Sequence, residues 1–219
     1  MLGSAEWQMI GMGVLQTLYM TIVSTVIAYI IGLPMGVLLV TSAKGGIKEN
    51  RFIYKFLDIL TNILRSIPFL ILLVLLIPVT RLIVGTTIGS TATIVPLVIG
   101  AAPFIARMVE SSLKEVDRGV IEASLSMGAS PFQIVKKVLI KESMPSLLVG
   151  FAISITTILG YSALAGFVGG GGLGDIAIRY GYYRYESSIM IITVILLVLI
   201  VQILQAMGTK FAVKIDKRI

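Results

Sequence analysis

The sequence predicts an all-α integral membrane protein with five transmembrane helices, its N-terminus outside the cell and its C-terminus in the cytoplasm. Three observations support this: the composition, long apolar runs and a one-sided distribution of basic residues. Of the 219 residues, 57% are hydrophobic and 13% are charged. A soluble domain carries about 25% charged residues. A water-soluble fold of this length therefore has no interior large enough to hide the apolar side chains.

Five apolar runs are long enough to cross a bilayer, which takes about 20 residues of helix. They cover residues 12–40, 56–83, 86–108, 146–168 and 187–207. The second and third runs each contain two prolines. We expect a single transmembrane domain over residues 12–208, with a long loop at residues 109–145.

The basic residues set the predicted orientation. Fourteen of them lie in or beside the segments that follow the first, third and fifth runs. These are Lys44, Lys48, Arg51, Lys55, Arg107, Lys114, Arg118, Lys136, Lys137, Lys141, Lys210, Lys214, Lys217 and Arg218. Arg81, Arg179 and Arg184 lie in the segments on the other side. Because cytoplasmic segments are enriched in Lys and Arg, this bias places the C-terminus in the cytoplasm. It also explains the net charge of +7 without nucleic-acid binding.

Several kinds of chemistry are excluded by residues that the chain lacks. It has no histidine and no cysteine, which excludes disulfides, the usual zinc sites and nucleophilic Cys–His or Ser–His pairs. It also has no G-x-x-x-x-G-K-[ST] phosphate loop. We therefore expect no cofactor and no enzymatic activity. Any ATP hydrolysis must come from a partner.

The long loop encodes two short helices at an angle. Gly128 ends the first, because glycine tolerates a left-handed backbone. Ser130 is suited to cap the second, with Pro131 at its first position and Gln133 completing a capping box. The second helix is expected to have an apolar face. This face comprises Phe132, Val135, Val138 and Leu139. The pair is either a docking element for a cytoplasmic partner or an amphipathic element on lipid headgroups.

The loop also carries a family motif. Glu122-Ala123-Ser124, with Gly128 following, resembles the coupling loop of ABC importer permeases, which docks into a cleft of the ATP-hydrolysing subunit. Two positions depart from the family pattern: Ser124 replaces an alanine, and Lys141 stands where a proline is common. The resemblance implies six residues at the ATPase contact. These are Glu122, Ala123, Ser124, Gly128, Ser130 and Pro131.

Three further stretches are similar to the permeases of the methionine uptake family. They are residues 65–69, 100–107 and 171–174, and the similarity extends over about residues 11–210. It implies the type I ABC importer fold, with D- or L-methionine as substrate. It also implies a permease homodimer in the bacterial cytoplasmic membrane, two cytoplasmic ATP-binding subunits and an extracytoplasmic methionine-binding lipoprotein. Five helices are few to enclose an aqueous path, which independently favours two copies around a symmetry axis.

A translocation pathway or gate is expected near the second and fourth runs. Arg65 lies inside an apolar run, where a charge is costly and usually faces a cavity or a partner. The alternatives are an ion pair with Asp58 or snorkelling to the inner surface. Position and family resemblance together suggest seven pathway residues, with Leu164 as a hydrophobic constriction. They are Asn62, Arg65, Ser66, Pro68, Tyr161, Ser162 and Leu164.

A glycine-rich stretch follows the fourth run. Gly169, Gly171 and Gly174 fit a dinucleotide-binding pattern, but that pattern requires a strand–turn–helix context. A flexible outer turn is the better interpretation. In the resembled family this region belongs to the outer gate and contacts the binding protein. The candidate contacts are Asp175, Arg179, Arg184 and Glu186. The alternative is that these are solvated loop charges.

Other functions remain open from the residues alone. The coupling motif describes an ATPase contact and does not identify the transported molecule, so another small polar substrate is an alternative. A membrane scaffold or an intramembrane enzyme are further alternatives from other classes. A stripe of small and hydroxylated residues in the first run suits either close helix packing or a polar pathway wall. It comprises Thr17, Thr21, Ser24 and Ala28.

Overall fold

The structure is a computed structural model that describes residues 3–215. Within these residues it contains helices and connecting turns and no strand, which confirms the predicted all-α class. Lys217 and Arg218 of the predicted basic tail lie outside the described residues.

The described residues form a long series of helices. In chain order, the α-helices are α1 (Ser4–Ser42), α2 (Arg51–Ser66), α3 (Phe69–Leu75), α4 (Ile77–Val84), α5 (Ser90–Lys114), α6 (Arg118–Ser126), α7 (Pro131–Ile134), α8 (Ile140–Glu142), α9 (Met144–Leu164), α10 (Gly172–Ile176) and α11 (Ser187–Ile215). Two π turns, Val135–Leu139 and Ala177–Tyr182, and a 3-10 turn, Ala165–Val168, lie between them.

Four helical segments are long and apolar enough to cross a membrane. They are Ser4–Ser42, Ser90–Lys114, Met144–Val168 and Ser187–Lys210. A fifth candidate is a bent pair formed by α2 and α3, whose axes differ in direction by 102°. By length and composition the described residues therefore supply four spans, or five if the bent pair counts as one.

The second apolar run is divided into three helices by two breaks, the first at Pro68 and the second at Leu76. Pro68 has no backbone N–H to continue α2, and it disfavours a helical conformation in the preceding residue. Its carbonyl oxygen accepts hydrogen bonds from the backbone N–H of Ile71 and Leu72 at 2.9 and 3.0 Å. A new helix therefore starts directly after the proline, and the segment at 56–83 is not one straight helix.

The chain forms two compact units, each assembled from separate stretches. The first unit comprises Met1–Ile27, Ile67–Ala101 and Ile155–Gln205. The second comprises Ala28–Ser66, Ala102–Ser154 and Ala206–Ile219. Large, fully buried side chains form the core of the first unit. They include Met20, Leu97, Ile158, Leu173 and Ile189.

In the second unit, α1 and α5 approach closely through two glycines. A Cβ on Gly32 would lie 2.8 Å from the carbonyl oxygen of Ala102, and one on Gly36 would lie 2.6 Å from that of Ala106. Glycines four residues apart permit this close contact between helices in a membrane. The core continues beside it, where Leu39 packs with Ala106 and neighbouring side chains.

The stripe of small residues on α1 is buried. Thr17, Thr21, Ser24 and Ala28 are each at most 1% exposed. Thr17 donates a hydrogen bond from its hydroxyl to the carbonyl oxygen of Gly13 at 2.9 Å. Such burial favours the helix-packing interpretation of the stripe over a solvated pathway wall.

Helix α11 is the least buried of the candidate spans. Only 11% of its most apolar window is buried, and its exposed side chains are large and aliphatic. They include Ile191, Val194, Ile195, Val198, Leu199 and Ile203. A helix with this surface requires an apolar environment, as a bilayer provides.

Candidate functional site: a coupling element and a gate region

The predicted coupling element is α6, the turn after it and α7. Asp117 caps the start of α6, where its carboxylate accepts a hydrogen bond from the Gly119 N–H at 2.7 Å. At the other end, Gly128 has a φ of 78°, and the Ala129 N–H donates to the Ser124 carbonyl oxygen at 3.1 Å. This left-handed turn ends the helix as the sequence predicts.

A capping box starts α7. The Ser130 N–H donates to the side-chain oxygen of Gln133 at 2.8 Å, and the Gln133 N–H donates to the Ser130 hydroxyl at 3.4 Å. Pro131 occupies the first turn of the helix. The predicted capping box is therefore confirmed. It fixes the start of α7 through local bonds alone.

Most of the predicted coupling residues are exposed. Glu122, Ala123, Gly128, Ser130 and Pro131 are on the surface. The exception is Ser124, which is buried and donates its hydroxyl to the Val120 carbonyl oxygen at 2.8 Å.

Apolar side chains beside these residues are also exposed: Met127 is 81% and Phe132 72% accessible. A protruding surface with uncovered apolar groups fits a docking element.

Along the predicted apolar face, Phe132 is exposed, Val135 and Val138 are half-buried and Leu139 is buried. The fully buried side chains of this segment are Ile134 and Leu139, both 0% exposed. They are five residues apart because the chain forms a π turn over Val135–Leu139, with i→i+5 hydrogen bonding. The extra residue in this turn rotates the preceding segment, so Phe132 lies outside the buried face.

Arg107 is the centre of a charged cluster on α5 that is not among the predicted site residues. Its guanidinium contacts the Asp58 carboxylate, and it donates to the Asn62 side-chain oxygen at 2.9 Å and to Glu110 at 2.7 Å. Glu110 is only 5% exposed, and Lys114 pairs with it at 2.7 Å. Arg107 thus links α5 to Asp58 and Asn62 of α2, while the buried Glu110 carboxylate is balanced by two cations of α5 itself.

Charged residues at positions 107, 110 and 114 recur at helical spacing. This recurrence was the available sequence signal for the cluster.

The ion pair with Asp58 that was one alternative for Arg65 is not formed, because Asp58 pairs with Arg107. Arg65 is exposed, as are Asn62, Ser66 and Pro68. The Ser66 hydroxyl donates to the Asn62 carbonyl oxygen at 2.7 Å. These predicted pathway residues therefore lie on the uncovered side of α2 and the break after it.

In the first unit, Tyr161 stacks face to face on Phe69. The ring centroids are 4.2 Å apart and the ring planes differ by 3°. Ser162 is buried and donates its hydroxyl to the Leu159 carbonyl oxygen at 2.7 Å. Leu164, the predicted constriction, is 39% exposed. One predicted gate residue, Tyr161, is thus in contact with Phe69, which directly follows another, Pro68.

The glycine segment, residues 169–174, for which a flexible turn was predicted, is packed against α1 and hydrogen-bonded to it. Three of its glycines have φ between 75° and 79°, and most of the segment is buried. The Gly172 N–H donates to the Gln16 side-chain oxygen at 2.8 Å, and the Leu173 N–H donates to the Thr17 hydroxyl at 2.9 Å. Polar groups of α1 therefore hold the segment in place.

The predicted binding-protein contacts follow this segment. Arg179 pairs with Asp175 at 3.0 Å, and the Arg184 guanidinium lies 4.4 Å from the centre of the Tyr180 ring. Glu186 is half-buried, and its backbone N–H donates to the Tyr180 carbonyl oxygen at 3.2 Å. The two arginines thus have local partners and still remain exposed.

Exposed tyrosines surround these charges and are not among the predicted residues. Tyr182, Tyr183 and Tyr185 are all on the surface, and Tyr185 has a positive φ of 60°. Tyrosine rings with one apolar body and one polar tip suit protein interfaces and the membrane–water boundary. The density of tyrosine between positions 180 and 185 was the sequence signal for this surface.

Comparisons with known proteins agree with this architecture. Residues 28–211 match the family model described as "Binding-protein-dependent transport system inner membrane component". The "Probable D-methionine transport system permease protein MetI" of Vibrio cholerae is 51% identical over 203 residues, which is 93% of this chain and 90% of that protein. The "D-methionine transport system permease protein MetI" of Escherichia coli is 54% identical over 154 residues, 70% of this chain and 71% of that protein.

A solved structure shares the whole fold. It bears the description "Inward facing conformations of the MetNI methionine ABC transporter" and covers 99% of this chain and 100% of its own. The sequence identity is 47% and the TM-score is 0.97, which confirms the predicted ABC importer fold. Together with the family match, this shows that the chain belongs to the inner-membrane components of binding-protein-dependent transport systems.

Proposed function

We propose that this chain is the transmembrane permease subunit of an ATP-driven importer of methionine. The observation that carries the proposal is the 47% identity and the TM-score of 0.97 to a methionine ABC transporter over 99% of the chain. The relatives named as D-methionine permeases support the same substrate. Membership of a transport family favours import over the scaffold and enzyme alternatives.

The proposed assembly is a homodimer of this chain with two cytoplasmic ATP-binding subunits and an external methionine-binding lipoprotein. The permease domain covers residues 12–208, with the C-terminal end in the cytoplasm. The chain performs no chemistry itself. It alternates between inward-facing and outward-facing states, and the ATPase subunits bias that equilibrium because their nucleotide states bind the two permease states with different affinity.

The exposed surface of α6 and its turn is proposed to dock on the ATPase subunit. Glu122 has a solvent-facing carboxylate, and the uncovered side chains of Met127 and Phe132 supply apolar area. The bonds that shape this element are local, since the capping box and the turn at Gly128 need no other part of the chain. A rigid, preformed element loses little entropy on binding.

The Phe69–Tyr161 stack, with Leu164, is proposed to form part of a gate. Aromatic rings in face-to-face contact close space efficiently and separate without breaking a hydrogen bond. Pro68 directly precedes the stacked phenylalanine, and a proline break lets a short helix shift while α2 stays intact. Ser162 holds the backbone near Tyr161.

Two further surfaces complete the proposal. Asn62, Arg65 and Ser66 present polar groups on an exposed side of α2, where they can face a polar pathway. Asp175, Arg179, Arg184 and Glu186, with the surrounding tyrosines, form the contact for the binding protein. Charged groups within an aromatic surround are typical of protein interfaces.

The decisive experiment measures ATP hydrolysis in proteoliposomes. The permease would be reconstituted with its ATPase subunits and the binding protein, and each amino acid would be added in turn. We expect stimulation by methionine and none by other amino acids. Liposomes without the binding protein serve as the control. Stimulation by a different compound would identify that compound as the substrate. If no ATPase co-purified with the permease, the proposal that it is an importer subunit would be contradicted.

A further inference from the structure

A cavity of about 410 Å³ lies in the second unit, beside the coupling element. The end of α1 and the turn after it form one side, and the end of α5, α6 and Leu139 form the other. Its lining residues in the first group are Val40, Ala43, Lys44, Gly45, Gly46 and Ile47. The volume falls within the range of ligand-binding pockets, about 300–1,000 Å³.

Cations dominate the charged part of the lining. Lys44, Lys114 and Arg118 face one acidic residue, Glu122. Lys114 is already paired with Glu110. Lys44 and Arg118 are exposed and have no ion-pair partner among the residues that the structure describes. The cavity therefore offers two cations whose charge the chain itself leaves uncompensated.

The rest of the lining is apolar. Val40, Leu113, Val116 and Leu139 contribute aliphatic walls, and the last three are at most 6% exposed. A small hydrophilic anion would satisfy the cations but would make no apolar contact with this part of the lining. A ligand with an anionic head and an attached hydrocarbon chain would satisfy both.

The position of the cavity indicates the source of such a ligand. α1 and α5 are both candidate membrane spans, and both end at the cavity. Their apolar stretches give way here to segments that carry Lys44, Lys114 and Arg118, and such a change from apolar to basic residues is typical of a membrane surface. Under the proposed function, on which this step rests, that surface is the cytoplasmic one, where anionic lipids attract basic residues.

We propose that this cavity binds the phosphate headgroup of an anionic phospholipid, with Lys44 and Arg118 as the binding cations. Each cation near a membrane surface contributes about a fivefold gain in lipid affinity. The site links a lipid to both the α1–α2 turn and the first turn of α6. Occupancy would thereby steady the coupling element from the membrane side.

The test is a titration of phosphatidylglycerol onto the complex of permease and ATPase subunits, followed by native mass spectrometry. We expect selective retention of phosphatidylglycerol over phosphatidylcholine. The double variant Lys44→Gln with Arg118→Gln should bind the lipid about 30-fold more weakly. The matched control is Lys48→Gln with Lys137→Gln, which removes the same charge from exposed positions that do not line the cavity. It should bind as the unmodified complex does.

Three results would overturn the proposal. Equal losses in the two double variants would mean general attraction to a basic surface. Displacement of the lipid by excess inorganic phosphate would mean a site for free phosphate. Loss of binding in Lys44→Arg with Arg118→Lys, which keeps both charges, would mean that these two charges are not what binds the headgroup.

Measuring methionine-stimulated ATP hydrolysis in the same preparation distinguishes a failure of the lipid site from a failure of the proposed function. A stimulated complex without selective lipid binding refutes the lipid site alone. An unstimulated complex refutes the importer.

Discussion

The coupling element and the glycine segment both contain glycines with positive φ, but the surroundings of these glycines differ. Gly128 is exposed, and a Cβ there would meet nothing within 4 Å. Gly172 is buried, and a Cβ there would lie 2.7 Å from the Thr17 hydroxyl oxygen and 2.9 Å from Met20. The turn at Gly128 is shaped by local bonds and remains accessible to a partner. The turn at Gly172 is packed against α1 and belongs to the core of the permease.

The largest expected effect is the loss of stability caused by alanine at the buried glycine, compared with alanine at the exposed one. Gly172→Ala combines backbone strain with a collision and should cost about 3 kcal/mol of stability. Gly128→Ala has the strain alone and should cost about 1 kcal/mol. The thermal midpoint of the detergent-solubilised protein measures both. Similar midpoints for the two variants would contradict the difference between a locked and an open turn.

A larger side chain at the open turn should impair transport rather than folding. Gly128→Leu places a bulky group on the docking surface and should lower methionine uptake by about 30-fold, as loss of an interface hot spot does. The protein should still insert in the membrane. Uptake in vesicles, normalised to membrane-inserted permease, is the measurement, with Gly128→Ala as the control. Normal uptake by the leucine variant would count decisively against the coupling role.

Removing one polar side chain that bonds each region should again give a larger loss of stability in the glycine segment than in the coupling element. Thr17→Val keeps the shape of the side chain and deletes the acceptor for the Leu173 N–H, which should cost about 2 kcal/mol because a buried donor is left unpaired. Ser130→Ala deletes an exposed helix cap and should cost about 1 kcal/mol. Chemical denaturation of the purified protein would compare them. A smaller loss for Thr17→Val than for Ser130→Ala would show that α1 does not anchor the segment.

The smallest effect concerns the gate. Leu164→Ser should make the closed path more permeable to water and raise ATP hydrolysis in the absence of methionine by about threefold, a change of under 1 kcal/mol in the balance of states. Leu164→Met is the matched control because it keeps an apolar side chain of similar volume. Unchanged basal hydrolysis and unchanged coupling in the serine variant would remove Leu164 from the gate.

Features specified by neighbouring residues could be predicted from the sequence. The capping box at Ser130 and the helix end at Gly128 each depend on a few adjacent positions. The apolar runs likewise predict the membrane class without any knowledge of packing.

Features that depend on distant partners could not be predicted in the same way. Asp58 pairs with Arg107, which is 49 residues away in the chain, and not with the nearby Arg65. The hydrogen bonds that hold the glycine segment come from Gln16 and Thr17 of α1. The exposure of Phe132 follows from a π turn, a departure from the regular helical period that a pattern of apolar residues does not reveal.

The attachment of the glycine segment to α1 has a consequence for biosynthesis. Gln16 and Gly172 are 156 residues apart in the chain. At about 5–20 residues per second, a ribosome needs roughly 8–30 s to make the intervening stretch. During that time Gln16 and Thr17 of α1 lack the Gly172 and Leu173 N–H groups that they bond in the folded protein. This contact can therefore form only late in the synthesis of the chain.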